Sequence, residues 1–283
     1  MTPDQPSLSV IGLGKVGETL ARLYHQQGYR IAAVSSRTTE RAAAVAVLVG
    51  ADVRDPVGAV TAADITLLTV PDDAIASVAN TITDDIEGRY IVHTSGALDA
   101  GVLDVLRQRG AHVGSFHPAY PFADVESALK GLPGSAFAVE AEDERLRGWL
   151  IGMAAALNGV VMLIPPGGKA LYHAALVIAS NYTVTLYAVA RDLLTGIGAD
   201  SAAAEQALNA LVGGTVANLR SVGIPAALTG PLVRGDIGTI SAHLAALDAA
   251  NPAAAALYRQ LARATLPLVK ARGKSVQEIE RLL

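Results

Sequence analysis

The chain has 283 residues, enough for one large domain or two ordinary domains with a substantial core. Apolar residues make up 51% of it, aromatic residues only 4%, and the formal net charge is −4, so it lacks the basic surface that binds nucleic acid. Cysteine is absent, which excludes disulfides, thiolate catalysis and cysteine-bound metals. The six histidines show no short metal-ligand spacing, so we predict no metal. The short polar start, Met1 to Pro6, leads us to expect no signal peptide and a cytoplasmic protein.

Short apolar runs alternate with helical stretches through the first 160 residues, which predicts a mostly parallel sheet with helices on both faces. After the Pro-Pro-Gly-Gly sequence at 165–168 the pattern is helical, with no convincing strand. The predicted fold class is α/β, with a Rossmann doubly wound sheet in residues 1–164 and an all-α domain in residues 165–283. Predicted strands are 8–11, 30–34, 65–70, 90–94, 111–115 and 136–140, with 159–164 as a strand or a linker; predicted helices are 15–27, 39–48, 72–82, 99–109, 143–157, 168–196, 201–221, 236–248 and 252–271.

The first strand leads into a glycine pattern that is typical of dinucleotide-binding folds. Gly12, Gly14 and Gly17 allow, in that order, a tight turn, close approach of a pyrophosphate and close packing of the first helix on the strand. Exposed N–H groups and the helix dipole would attract the anion. The alternative is a glycine turn that binds no ligand. The predicted cofactor-binding residues here are Gly12, Leu13, Gly14, Lys15, Val16 and Gly17, with Val70 and Pro71 at the end of a later strand.

The residues after the second strand indicate which nucleotide would bind. NAD-selective folds place a carboxylate there, on the ribose 2′-hydroxyl, whereas this chain has Ser35, Ser36 and Arg37. Two hydroxyls and a guanidinium would bind a 2′-phosphate, which a carboxylate would repel. We therefore predict NADP rather than NAD as the cofactor. The alternative is that Arg37 is a solvated residue at the start of the next helix.

Polar residues also follow three later strands, at the edge where open α/β sheets bind ligands. Asp72 is expected to cap the next helix. Ser95, which follows His93, could bind a substrate carboxylate or carbonyl, or could serve only as a cap and turn. His117 lies in a stiff loop beside aromatic residues and prolines, which suits a small-ligand pocket. The alternative for His117 is a packed loop with a satisfied histidine.

The first long helix after the boundary carries the polar candidates Lys169, Tyr172, His173 and Asn181 on an otherwise apolar sequence. Lys169, His173 and Asn181 share one face, and such a stripe is costly to bury without partners. We predict Lys169 or His173 as the general acid/base and Asn181 as a substrate contact; an ordinary surface pair is the alternative. Further along, Arg234 could bind a substrate carboxylate through two nitrogens, or could belong to a purely structural turn before Asp236, the predicted cap.

Part of the same helix approaches the length of a membrane span. Residues 174–190 carry no charge, but Ser180, Asn181, Thr183 and Thr185 interrupt them, and no second such segment accompanies them. We therefore predict a helix buried between domains or subunits, and no membrane contact.

Together these motifs resemble a known combination of domains. The N-terminal half resembles the NADP-binding domains of pyrroline-5-carboxylate reductase, ketopantoate reductase and 3-hydroxyacid dehydrogenases. The whole set is similar to proteins in which a Rossmann-like domain precedes a domain of unknown function similar to the 6-phosphogluconate dehydrogenase C-terminal domain. The resemblance implies a homodimer formed through the helical domain and an NADP-dependent oxidoreductase. One departure is His173, because the dehydrogenases place an asparagine four residues after the catalytic lysine. The motifs that carry the resemblance are residues 93–96, 116–118 with 121–122, 169–181, and 229–231 with 234–236.

The resulting prediction is an enzyme that transfers hydride between NADP(H) and a small carbonyl, imine or hydroxyacid substrate in the interdomain cleft. Two alternatives remain: a non-catalytic NADP(H)-binding sensor or partner module, and a protein that kept the fold but lost the nucleotide.

Overall fold

A computed structural model describes residues 5–83 and 86–283, so part of the predicted polar start at Met1 to Pro6 lies outside the described residues. Its strands form one sheet in the order β3-β2-β1-β4-β5-β6-β7-β8. All neighbouring strands run parallel except β6 and β7, which are antiparallel. The strands are β1 (Leu8–Ile11), β2 (Ile31–Ser35), β3 (Asp52–Val53), β4 (Ile65–Leu68), β5 (Tyr90–His93), β6 (His112–Pro118), β7 (Ala136–Ala141) and β8 (Val160–Leu163).

Helices connect these strands and cover both faces of the sheet. β1 and β4 are buried along their whole length, and each is apolar apart from one hydroxyl residue, Ser9 in β1 and Thr66 in β4. β1 pairs with β2 on one side and with β4 on the other, so the chain reverses its direction of winding between β1 and β4. Ligands of open α/β sheets bind at this switch point. The helices are α1 (Lys15–Gln26), α2 (Thr39–Val49), α3 (Pro56–Ala62), α4 (Asp72–Thr81), α5 (Asp104–Arg107), α6 (Val125–Gly131), α7 (Glu144–Ala156) and α8 (Lys169–Ala179), with a 3-10 turn over Ala100–Leu103.

The predicted fold class is confirmed: a Rossmann-like sheet is followed by a helical region. The segment 159–164, predicted as a strand or a linker, contains a strand, β8. β3 was not predicted because its two residues are both exposed and give no apolar signal. The short helices α3 and α6 were also missed, and the predicted helix over 168–196 is interrupted at Ser180, where α8 ends.

Residues up to Asn181 form one compact unit and residues from Tyr182 onward form a second. The composition change at 165–168 precedes the boundary between the two units at 181/182, because α8 belongs to the first unit. Lys169 at the start of α8 donates to the Ser95 carbonyl, in the turn after β5. The predicted division at 164/165 remains a prediction. The helices that follow are α9 (Asn181–Gly196), α10 (Ser201–Val222), α11 (Pro231–Arg234), α12 (Ile237–Ala250), α13 (Pro252–Ala271) and α14 (Gln277–Leu282).

The second unit has a small core and two poorly covered helices. Its core joins α11 to α14 through seven buried side chains. Within the described chain, α10 buries only Ala204 and α9 buries no residue. The stretch Lys169–Gly196 is long and apolar enough to cross a membrane by length and composition, and none of its most apolar window is buried. The predicted burial of this helix between domains or subunits stays a prediction. The core residues are Val233, Ile240, Leu244, Leu266, Val269, Val276 and Ile279.

Candidate functional site

The loop after β1 is held in a shape that only glycine permits at two positions. Gly12 has φ +98°, and a Cβ there would lie 2.7 Å from Val70 Cγ1. A Cβ on Gly17 would lie 2.0 Å from the Gly12 carbonyl oxygen. In contrast, a Cβ on Gly14 would meet no atom within 4 Å, so open space lies in front of the first turn of α1. No side chain caps that turn, which leaves backbone N–H groups available to an anion.

Thr69, which sequence reasoning missed, ties this loop to the neighbouring strand. Its backbone N–H donates to the Ile11 carbonyl at 2.8 Å, and its hydroxyl contacts the carbonyls of Ile11 and Gly12. The predicted cofactor residues Val70 and Pro71 follow it, half-buried and exposed respectively. The wall beside the glycine loop is therefore fixed by backbone hydrogen bonds.

The residues predicted to read the 2′-phosphate lie at the end of β2. Ser35 is buried, and its carbonyl accepts a hydrogen bond from Gly12 N–H at 2.8 Å. Ser36 Oγ accepts from Thr38 N–H at 3.3 Å, and Arg37 is exposed. Ser35 therefore shapes the loop, whereas Ser36 and Arg37 lie at the surface where a ligand could reach them.

Arg41 is a second arginine near this loop that sequence reasoning did not identify. From the first turn of α2, its Nε donates to the Leu13 carbonyl and its Nη2 lies 2.9 Å from Glu18 Oε2. The signal available in the sequence was its spacing of four residues from Arg37. The guanidinium reaches from α2 to the glycine loop, so two arginines lie beside the predicted nucleotide site.

The turn after β5 is dominated by Ser95, whose polar atoms are all paired inside the protein. Its hydroxyl donates to Asp72 Oδ2 at 2.8 Å and accepts from the N–H groups of Ala97 and Leu98 at 3.1 and 3.0 Å. A hydroxyl has one donor and two acceptor sites, so this uses its full capacity. The arrangement matches the cap-and-turn alternative, and the hydroxyl has no hydrogen-bonding site left for a substrate. The expected capping role of Asp72 is wrong, because Pro71 holds the cap position and the Asp72 carboxylate instead binds Ser95.

His93 also stabilises this turn, through hydrogen bonds of its ring. It is fully buried; Nδ1 accepts from Ser95 N–H at 3.1 Å, and Nε2 lies 3.2 Å from the Asp99 carbonyl. The second contact requires a proton on Nε2, so both nitrogens of the neutral ring are used. Burial, with a smaller contribution from the Lys169 charge, lowers the pKa of His93 to about 4. His93 is therefore a neutral structural residue at physiological pH.

Lys169 begins α8 and is completely buried, the single buried residue of that helix in the described chain. Its Nζ donates to the Ser95 carbonyl at 2.7 Å and lies 5.6 Å from the ring centre of Tyr172. Burial lowers the pKa of Lys169 to about 8, although nearby carboxylates oppose the shift, first Glu140 and then Asp99 and Asp72. With this pKa, Lys169 can give a proton as the ammonium and accept one as the neutral amine near neutral pH.

Two further histidines converge beside Lys169. His117 Nδ1 lies 2.8 Å from the Tyr172 hydroxyl, and the two rings meet edge to face. A Cβ on Gly96 would lie 2.9 Å from both His117 Nε2 and His173 Cδ2, so both rings occupy the space beside this glycine. Burial first, and then the charge of Lys169, lowers the pKa of His117 to about 3. The structure therefore brings Lys169, His117 and His173 to the carboxyl ends of β5 and β6.

The two remaining predicted substrate contacts, Asn181 and Arg234, are both exposed. Asn181 is exposed at the start of α9, beyond the interruption at Ser180 that ends the shared helix face. Arg234, in the second unit, is exposed, and its Nη2 lies 3.9 Å from Asp236. Asp236 caps α12 as predicted, accepting from Thr239 N–H at 3.0 Å. No group of three or more metal-binding side chains occurs among residues 5–83 and 86–283.

Two family matches cover most of the chain. Residues 7–96 match the family described as "NADP oxidoreductase coenzyme F420-dependent", and residues 135–265 match a domain of unknown function, DUF2520. Residues 7–96 and 135–265 are thus similar to an NADP oxidoreductase domain and a DUF2520 domain, which confirms the predicted resemblance to a Rossmann-like domain followed by a domain of unknown function. Similarity of the second domain to the 6-phosphogluconate dehydrogenase C-terminal domain stays a prediction. No curated protein matches the chain in sequence.

Solved structures with the same fold extend along nearly the whole chain. A candidate NADP oxidoreductase from Bacteroides fragilis is 27% identical, with a TM-score of 0.72, and the match covers 92% of this chain and 97% of that one. An imine reductase from a Pseudomonas species is 20% identical, with a TM-score of 0.63 and coverage of 93% and 94%. Pyrroline carboxylate reductase from Plasmodium falciparum, solved with NADP bound, is 14% identical, with a TM-score of 0.62 and coverage of 96% and 99%. The last two similarities show the fold alone.

Proposed function

We propose that this chain, an NADP oxidoreductase domain joined to a DUF2520 domain, catalyses NADP-dependent reduction of a small carbonyl or imine, or the reverse oxidation of a hydroxyacid or amine. The observation that carries the proposal is Lys169. A buried ammonium with a pKa near 8 lies at the sheet edge where Rossmann folds bind their ligands, on the same sheet as an open glycine loop. A purely structural lysine would not need this costly burial.

The loop residues fit a dinucleotide. The open space at Gly14 and the uncapped first turn of α1 suit a pyrophosphate, with Leu13, Lys15 and Val16 alongside. Arg37 and Ser36 supply donors for a 2′-phosphate, together with the part of the Arg41 guanidinium that is not bound to Leu13 and Glu18, and residues 35–37 include no carboxylate to oppose it. When bound, NADPH supplies the hydride.

The chain's own contribution is then proton transfer and substrate placement. In the reductive direction Lys169 Nζ donates a proton to the substrate oxygen or nitrogen, and in the oxidative direction the neutral amine accepts it. The Ser95 carbonyl, held by Asp72 and His93, fixes the position of Nζ. His117 and His173 line the adjacent space, and His173 remains the alternative proton donor. Asn181 and Arg234 remain predicted substrate contacts.

Nucleotide titration tests the cofactor assignment. We expect NADPH to bind more tightly than NADH, and Arg37→Ala and Arg41→Ala each to weaken NADPH binding about 10-fold to 100-fold, since a charge-assisted hydrogen bond contributes about 1.5–3 kcal/mol. NADH affinity should change little. Arg30→Ala is the matched control, an exposed arginine that precedes β2 at the opposite edge of the sheet. Equal affinity for NADPH and NADH would contradict the assignment to NADP.

Turnover of a panel of small aldehydes, ketones, 2-oxoacids and cyclic imines with NADPH tests the activity. Lys169→Met should lower kcat about 10²-fold to 10⁴-fold, because it removes the proton donor while filling the same space. NADPH affinity should be unchanged. In the native protein the reductive rate should fall as pH rises above about 8, since the protonated form of Lys169 is lost, and the oxidative rate should rise. Tight NADPH binding without turnover of any panel member would favour the sensor or partner module instead.

We further propose that a second copy of the chain covers the exposed apolar side chains of α9 and α10. Val184, Leu211 and Val222 are 70%, 67% and 57% exposed, which a soluble surface rarely tolerates in such number. Light scattering should give twice the chain mass, and Leu211→Asp should give the monomer. A monomeric native protein that floats with lipid vesicles would instead indicate that the stretch Lys169–Gly196 contacts a membrane.

A further inference from the structure

The mechanism above leaves one residue of the cluster without a role, although it touches two of the proposed proton-handling groups. Tyr172 places its hydroxyl 2.8 Å from His117 Nδ1, and its ring centre lies 5.6 Å from Lys169 Nζ. It follows Lys169 by three residues, so the first turn of α8 carries both side chains to the same place. On this helix the sequence predicts roles for Lys169, His173 and Asn181, whereas Tyr172 is a candidate without an assigned role.

The hydrogen bond determines which nitrogen of His117 faces the site. Nδ1 is occupied by Tyr172, whereas Nε2 lies against the Gly96 backbone, so close that a Cβ there would come within 2.9 Å of it. Among the described residues, no hydrogen bond is found for Nε2. This nitrogen is therefore the one that remains available to hydrogen-bond a substrate atom.

The protonation states set the direction of the hydrogen bond. Burial raises the pKa of Tyr172 to about 12, so the phenol keeps its proton, and His117 is neutral at physiological pH. A phenol O–H donates more strongly than a neutral imidazole N–H, and an imidazole nitrogen is the better acceptor. The O–H therefore donates to Nδ1, and the ring proton is left on Nε2.

We propose that Tyr172 is a positioning residue that fixes His117 in the tautomer with its proton on Nε2. His117 then presents a neutral hydrogen-bond donor beside Lys169 and polarises the substrate atom to which Lys169 gives a proton. The catalytic part of this inference rests on the proposed function, whereas the tautomer itself does not. No atom is transferred to or from Tyr172.

Nitrogen-15 NMR of histidine-labelled protein, without nucleotide or substrate, tests the tautomer directly. His117→Gln assigns the His117 signals. In the native protein we expect the Nε2–H pattern, with Nδ1 shifted as a hydrogen-bonded acceptor. Tyr172→Phe keeps the ring and removes only the hydroxyl, so Nδ1 should move to the position of a free acceptor and the two nitrogens should begin to average. An Nδ1–H pattern in the native protein, or unchanged His117 signals in Tyr172→Phe, would overturn the proposal.

The chain supplies a matched control in its second unit. Tyr258 and His243 form another edge-to-face pair, with the Tyr258 hydroxyl 3.1 Å from His243 Nδ1. Tyr258→Phe should move the His243 signals and leave those of His117 in place, and Tyr172→Phe should do the converse. If both variants moved both histidines, a general structural change would explain the shifts and the assigned role would be wrong.

Once a substrate is found, kinetics separate positioning from a merely structural role. Tyr172→Phe should lower kcat/KM about 10-fold, the effect of about one neutral hydrogen bond, while the decline near pH 8 assigned to Lys169 stays in place. A shifted pH profile would mean that Tyr172 acts through Lys169 and would overturn the route through His117. If no substrate is turned over, the proposed function fails, while the NMR result still decides the tautomer.

Discussion

The glycine loop after β1 and the turn after β5 lie at the same edge of one sheet but treat their polar groups in opposite ways. The glycine loop leaves N–H groups without a side-chain cap and open space at Gly14, so it has room and donors for a ligand. The turn after β5 pairs every polar atom of Ser95 and both nitrogens of His93 within the protein. One region is built to bind an external group, and the other is built to hold Lys169.

This contrast shows why residue type alone is a poor guide to role. Serine and histidine at a strand end suggest substrate contacts, yet here their hydrogen-bonding capacity is already spent. Glycine at a strand end suggests only a turn, yet the space it leaves is the clearest sign of a ligand. What decides the role of a residue is the number of hydrogen-bonding sites and the volume that remain free after folding.

The largest expected effect separates two glycines within the loop. Gly17→Ala places a Cβ 2.0 Å from the Gly12 carbonyl, so we expect a loss of at least about 3 kcal/mol in the free energy of unfolding and no NADPH binding. Gly14→Ala meets no atom within 4 Å and should leave the unfolding free energy nearly unchanged while still weakening NADPH binding. Urea unfolding and nucleotide titration measure the two effects. Equal destabilisation by both variants would mean that Gly14 is structural and that the loop is not open.

The fold was more predictable from sequence than the site. Mostly apolar runs, each with a single hydroxyl residue, revealed β1 and β4 because both faces of these strands are buried, whereas the exposed β3 gave no such signal. The position of Lys169 on a helix also followed from the sequence. Its hydrogen bond to the Ser95 carbonyl did not follow from the sequence, because any residue 74 positions away could supply a backbone acceptor.

Arg41 was not identified from the sequence, and Tyr172 was a candidate without a role, for a related reason. Each lies one turn or less from a residue that had been singled out, Arg37 and Lys169 respectively, and each reaches its partner across elements distant in sequence. A helix face predicts which side chains are neighbours on that helix, but the partner on another element depends on the packing of the whole sheet.

An intermediate effect tests the role of Ser95 in the turn. Ser95→Ala leaves Asp72 and the Ala97 and Leu98 N–H groups without their partner, so the unfolding free energy should fall by about 2 kcal/mol. Loss of a substrate contact would instead raise KM and leave stability unchanged. Thermal unfolding beside steady-state kinetics distinguishes the two outcomes. Ser77→Ala is the control, because that hydroxyl is exposed and bonds only to the Ala74 carbonyl of its own helix.

The smallest effect is the contribution of His93 to stability in acid. Its folded pKa of about 4 lies below the ordinary value of 6.5, so the unfolded chain takes up a proton first and stability falls as pH drops below about 6.5. Between roughly pH 7 and pH 5.5 this should cost about 1 kcal/mol, and the fall should continue until about pH 4. His93→Gln should make the pH dependence of urea unfolding shallower by that amount, leaving the contribution of His117, whose pKa is lowered to about 3. An unchanged pH dependence in His93→Gln would show that the turn tolerates a charged His93, and the rigid support of Lys169 would have to come from Asp72 and Ser95 alone.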